Sequence, residues 1–145
     1  MVQSGMEASL ARVPGVPTVV RMGGPWQIEL YETVDGACPF EAWHSKLSAG
    51  KQVVINESMQ AQLVRRGTGV CSDDWGRALG GGLYELRMRQ RGVLLRIFFA
   101  PIAERSLLVL GGLDKGRHAK RQTAAIQACR ARLAEWHRRN MRFTA

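Results

Sequence analysis

Cysteine and histidine are scarce in this chain, with three of each. Cys38, Cys71 and Cys129 stand far apart, without a Cys-x-x-Cys pair and without histidine at zinc-ligand spacing, which argues against a structural zinc site. The odd number also argues against a disulfide framework, so free thiols, buried or half-buried, are expected. His44 and His118 are far apart and His137 lies among arginines. No carboxylate cluster accompanies any of them, so no metal centre is expected. No cofactor is expected either. Gly80-Gly81-Gly82 lacks the Gly-Lys-Ser/Thr of a phosphate-binding loop and reads as a flexible approach to a strand. Ser106 and Cys71 have no neighbours in sequence that would activate a nucleophile.

Long apolar runs are missing too. None approaches the roughly 20 residues of a membrane span, and residues 1–25 lack the continuous hydrophobic core of a signal peptide. A cytoplasmic protein without membrane contact is the expectation. Acidic residues are the last shortage, 12 against 21 Lys and Arg, for a formal net charge of +9. The deficit is confined to one half. From Tyr84 onward fourteen Arg and Lys face four Asp and Glu, whereas residues 1–83 hold seven against eight. So one-sided a surface recruits polyanions by releasing their counterions, and nucleic acid is the expected partner.

What is present suffices for one compact domain: 145 residues, 46% of them hydrophobic and 23% charged. Residues 1–25, with Pro14, Pro17 and Pro25, keep no period and read as a flexible tail, with Val16–Met22 open to a short extended piece that nothing demands, before a single domain over 26–140. Trp26–Glu32 alternates like a half-buried strand. Pro39 suits the first turn of a helix in which Phe40, Trp43 and Leu47 share a face. Ile55, Met59 and Leu63 mark a second helix, ending at Arg65-Arg66 before Gly67. Thr68–Gly82, rich in Gly and Asp, reads as a loop. Leu83–Met88 and Val93–Phe99 flank Arg91-Gly92 as a hairpin. Pro101 falls in the connection that follows, and Arg105–Gly111 is the last strand. Arg121–His137 closes the domain as a helix with Ile126, Cys129, Leu133 and Trp136 on its buried stripe and Arg130, Arg132 and Arg138 near solvent. The expected class is α+β, a small antiparallel-rich sheet in the order β-α-α-β-β-β-α.

The hairpin carries the chemistry. Tyr84, Leu86 and Met88 fall on one face, and Glu85, Arg87 and Arg89 on the other. Unpaired guanidinium groups are costly to bury, so Arg87 and Arg89 are expected to stay accessible. Arg96 on the partner strand, with Lys115 and Lys120 after the last strand, completes a set of cations suited to one phosphate. RNA brings its own nucleophile, the 2′-hydroxyl beside the scissile phosphate. Fixed cations accelerate its attack by aligning the backbone and stabilising the charge that develops on phosphorus, without a metal. His118, between the two lysines, is the candidate donor of a proton to the 5′-oxygen. Arg87, Arg96, Lys115 and His118 are therefore the candidate catalytic residues. Arg89, Arg91, Arg117, Lys120 and Arg121 are the candidate RNA-binding residues.

Five stretches together resemble the phage-derived HigB-like toxins of the RelE/ParE superfamily. They are Tyr31-Glu32-Thr33-Val34-Asp35-Gly36; Pro39-Phe40 with Trp43; Leu79-Gly80-Gly81-Gly82-Leu83-Tyr84-Glu85-Leu86-Arg87; Arg96-Ile97-Phe98-Phe99; and Leu108–Leu113 with Lys115 and Lys120. The likeness covers about residues 26–137. It implies a RelE-like sheet with two helices packed at one side and a C-terminal helix. It also implies the toxin of a type II toxin–antitoxin system, an mRNA interferase that cleaves mRNA in the ribosomal A site and is neutralised by a helix-turn-helix antitoxin. By motif position, Arg87 and Arg96 match the family's basic residues at the RNA backbone, and Lys115 and Lys120 its C-terminal lysine region. Leu95 and Phe99 stand where members often carry tyrosine, Gly116 where a second lysine is frequent, and Lys120-Arg121-Gln122-Thr123 where Lys-Thr-Pro is common. These departures motivate a second reading, a non-catalytic nucleic-acid or protein-binding module on the same fold. The superfamily's ParE branch, which poisons gyrase, supplies a third. The near-neutral N-terminal half suits protein contact better than RNA contact, so the antitoxin is expected to bind at least partly away from Arg87 and Arg96.

Overall fold

A computed structural model describes residues 18–20, 22–90, 92–116 and 120–141 and has α+β architecture, with one six-stranded mixed sheet. The elements are β1 (Thr18–Val20), β2 (Gln27–Leu30), α1 (Pro39–Ser45), α2 (Ala49–Ser58), α3 (Val64–Arg66), β3 (Gly76–Gly80), β4 (Leu83–Met88), β5 (Leu95–Ala103), β6 (Ser106–Asp114) and α4 (Lys120–Met141). A π-helical turn, Met59–Leu63, joins α2 to α3 as one rod, and a 3-10 helix, Gly67–Ser72, follows it. The strands lie in the order β1-β2-β6-β5-β4-β3. Neighbours run antiparallel except β2 and β6, which are parallel.

Side chains of the β4–β5–β6 meander alternate between two cores. Tyr84, Leu86, Met88, Leu95, Ile97 and Phe99 pack with Phe40, Ile55, Met59 and Leu63 of the first helices. Leu83, Phe98, Ala100, Leu108 and Leu110 pack with Cys129 and Leu133 of α4. Both faces of the sheet are therefore covered. In β6 the register passes from Phe98↔Gly111 to Phe99↔Val109, which leaves Leu110 as a bulge. The bulge reverses which side chains face α4. Leu113 thereby joins Arg96 on that side, and Gly112 turns to α1, where a Cβ would meet the Trp43 ring at 2.2 Å. Arg132 donates to the Leu110 carbonyl at 2.9 Å, fastening α4 over the bulge. The far end of α4 reaches β2, where the Tyr31 hydroxyl donates to Glu135 at 2.6 Å.

Two strands depart from the expected order. Thr18–Val20, in the stretch read as a tail, pairs with Ile28–Leu30. Three residues are too few to show a period, so only that pairing defines the strand; residues 1–17 lie outside the described residues. Gly76–Gly80, in the stretch read as a loop, is mostly exposed and carries no hydrophobic alternation. Its ladder with β4 makes it a strand. Gly80, Gly81 and Gly82, at φ +90°, +64° and +83°, form the turn between β3 and β4. That is a defined hairpin connection needing three left-handed residues, not a flexible approach. Pro101 lies inside β5 rather than after it. The β4 ladder ends at Tyr84↔Phe99, so beyond that point β5 has a free edge on that side and tolerates a residue without an N–H. β5 begins at Leu95 rather than Val93, and β6 extends to Asp114 rather than Gly111.

His44 is a packing histidine. Its Nε2 lies 3.0 Å from Asn56 Oδ1, and its ring packs against Phe40. Burial lowers its pKa from the ordinary 6.5. Below that value the unfolded chain binds the proton more readily than the folded one, so stability is present above pH 6.5 and is lost as pH falls through the depressed folded value. The melting temperature is expected to be lower at about pH 5.5 than at about pH 7.5. His44→Gln, which keeps an amide donor for Asn56, is expected to narrow that gap in a thermal-denaturation series.

Candidate nucleic-acid interface

On the α4-facing side of the sheet, Arg77 lies across from Glu85 and Arg87 across from Arg96. With Arg89 just beyond β4, Arg77, Arg87 and Arg89 act electrostatically on Arg96, and Glu85 is the carboxylate that opposes them. Gln122, in the first turn of α4, donates from Nε2 to Glu85 Oε1 at 3.2 Å. Strand pairing sets this geometry. The backbone ladder forces the like charges together, and α4 then covers the innermost of them.

Arg96 is only 3% exposed and Glu85 is fully enclosed. Their Nε and Oε1 approach to 3.9 Å, an ion pair but too long for a hydrogen bond. Arg96 Nη1 donates to the Leu95 carbonyl at 3.2 Å. Arg96 Nε, Arg87 Nε and Glu85 Oε2 are buried with no hydrogen-bond partner among the described residues. Burial, and after it the charges of Arg89, Arg87 and Arg77, pull the Arg96 pKa below its usual range, while Glu85 opposes them. Unfilled donors among like charges favour an incoming anion.

Arg89 is exposed. Arg87 is half-buried, less accessible than expected, and its N–H donates to the carbonyl of Trp75, the residue before β3, at 2.8 Å. Lys115 follows β6 by one residue, is half-buried, and its N–H donates to the Leu94 carbonyl at 2.8 Å. Lys120 and Arg121 are exposed at the start of α4. Arg91, Arg117 and His118 lie outside the described residues. The structure thus brings Arg87, Arg89 and Arg96 together and adds Arg77 and Glu85, neither of which was among the candidates. Arg77 was hidden in a segment without strand periodicity. Glu85 was legible only as an alternating position of the hairpin.

Two other arginines do more than the sequence reading gave them: Arg130 is exposed and Arg132 half-buried, near solvent as expected. Arg130 donates to the Gly80 and Leu79 carbonyls at 2.7 Å each, and Arg132 to the Leu110 carbonyl, so both also tie α4 to the sheet. Leu95 and Phe99, the positions that depart from the family tyrosines, pack into the core on the opposite face from Arg87 and Arg96. Side chains there point away from the cationic cluster. Cys38 and Cys129 are buried and Cys71 is half-buried. Burial pushes the Cys129 thiol up to about 11, which makes it a poor nucleophile at neutral pH.

Next to the arginines opens a pocket of about 200 Å3 lined by Asp74, Trp75, Arg87, Arg89 and Gln90. Asp73 Oδ1 accepts from the Trp75 N–H at 3.0 Å, which fixes the backbone that carries the indole. Among the described residues, no three or more His, Cys, Asp or Glu side chains are grouped to hold a metal ion. No helix among them is long and apolar enough to cross a membrane. No protein-family model matches the chain, and no curated protein matches it.

Proposed function

We propose that this protein is the toxin of a type II toxin–antitoxin pair, a ribosome-dependent endoribonuclease with a RelE-like sheet. The observation that carries the reading is the register pair Arg87–Arg96. Its two buried Nε groups lack hydrogen-bond partners among the described residues, on a sheet face where Arg77 and Arg89 add further positive charge. The β4–β5–β6 meander with α4 lying across it supports the finer fold assignment. In the reaction, the RNA 2′-oxygen bonds to the adjacent phosphorus as the bond from phosphorus to the 5′-oxygen breaks. The proton leaves the 2′-hydroxyl and another reaches the departing 5′-oxygen, giving a 2′,3′-cyclic phosphate and a free 5′-hydroxyl. Arg87 and Arg89 hold the phosphate oxygens, Arg96 adds its charge from beneath, and His118 is the assigned proton donor. Lys115, Lys120 and Arg121 extend the contact along the RNA backbone. The helix-turn-helix antitoxin covers the α1–α3 side, where Val53 is 44% exposed.

Binding without cleavage is the second reading, and it draws on the enclosure of Arg96 beneath α4. Induction in a bacterial host that lacks the antitoxin separates the two. Growth arrest with ribosome-associated transcripts cut to 5′-hydroxyl ends is the expected result. Normal growth at confirmed soluble expression speaks for the binding module, and DNA damage with intact mRNA for a gyrase poison.

A further inference from the structure

The pocket beside the arginines combines groups that the phosphate chemistry leaves unused. Trp75 is half-buried and its backbone is held on both sides, by Asp73 at 3.0 Å and by Arg87 at 2.8 Å. Asp74 is exposed, and among the described residues its carboxylate takes part in no hydrogen bond or ion pair, although Arg87 and Arg89 line the same pocket. At about 200 Å3 the space is smaller than the roughly 300–1,000 Å3 that encloses a whole drug-sized ligand. It suits a single ring system next to a backbone phosphate.

The geometry points to a nucleobase subsite in which a guanine of the RNA stacks on Trp75 and is read by Asp74, while Arg87 and Arg89 hold its phosphate. The inference rests on the RNA-binding reading above. Guanine follows from hydrogen-bond chemistry. A carboxylate offers two adjacent acceptors and no donor. Of the four RNA bases only guanine presents two adjacent donors, N1–H and the 2-amino group, on its pairing edge. Adenine and cytosine present one amino group beside an acceptor, and uracil a single N–H between two carbonyls. The indole supplies a stacking surface that any base accepts, so Trp75 contributes affinity and Asp74 contributes choice.

Equilibrium binding of 5′-labelled oligouridine hexamers carrying one central guanine, inosine or adenine, by fluorescence anisotropy, tests this directly. Inosine lacks only the 2-amino group. The full-length protein is expected to bind the guanine hexamer about tenfold more tightly than the inosine or adenine hexamer. In Asp74→Asn that preference is expected to vanish while the inosine and adenine affinities stay within about twofold. Trp75→Ala is expected to weaken all three by about tenfold. Because Trp75 also packs against the core, the exposed Asp74 substitution carries the decision. Equal wild-type affinity for the three hexamers, or a guanine preference that survives in Asp74→Asn, overturns the subsite and leaves RNA binding standing. Absence of salt-sensitive binding to every hexamer overturns the RNA reading itself.

Discussion

Arg87→Ala is expected to lower ribosome-dependent cleavage by about 100-fold or more while leaving the fold intact. A donor fixed by the sheet and aimed where negative charge develops acts most strongly in the transition state, so its loss falls on the chemical step. The Arg87 guanidinium is half-buried and its Nε has no hydrogen-bond partner among the described residues, so truncation breaks no native bond from that atom. Arg138→Ala, on the exposed last turns of α4, is the matched control. It removes a charge of the same sign, and a drop of only a few-fold is expected from weaker general attraction. Single-turnover cleavage on purified ribosomes, with melting curves for both variants, provides the measurement. Equal losses for the two would mean that non-specific electrostatics explain the activity and that the strand-borne site does not exist.

The second large effect is on stability. Arg96→Ala leaves Glu85 fully enclosed without its ionic partner and is expected to cost about 3–5 kcal/mol. Replacing both partners, Glu85→Leu with Arg96→Met, removes the uncompensated charge and restores an apolar interior. Such exchanges of buried pairs are often neutral or stabilising by about 1–4 kcal/mol. The long 3.9 Å approach and the unfilled Oε2 and Nε atoms place this pair among the weakly compensated ones. The double variant is therefore expected to match or exceed the wild-type urea midpoint while remaining inactive. A double variant as unstable as Arg96→Ala would show that the pair is a net stabiliser and that cleavage cannot be separated from folding at this position.

Local sequence determined the sidedness of the elements. The alternation of Leu83–Met88 placed Glu85, Arg87 and Arg89 opposite Tyr84, Leu86 and Met88, and strands pair that way because successive side chains must point to opposite faces. Helical spacing likewise fixed the contact faces of α1, α2 and α4, including the buried Cys129 and Leu133. The charge imbalance after Tyr84 is also plain in the residues themselves. Periodicity stops short of partner choice. Thr18–Val20 and Gly76–Gly80 become strands only because β2 and β4 offer free edges, and the second of these pairings is what brings Arg77 to Glu85. The enclosure of Arg96 was equally out of reach. Its strand is apolar on both faces except at Arg96, and the helix on that side, α4, docks from far along the chain and leaves no mark on the residues beneath it. The bulge at Leu110 completes the division. One extra residue in β6 reverses the face of all that follow it, so the neighbours of Arg96 are decided by strand register, which exists only in the folded sheet.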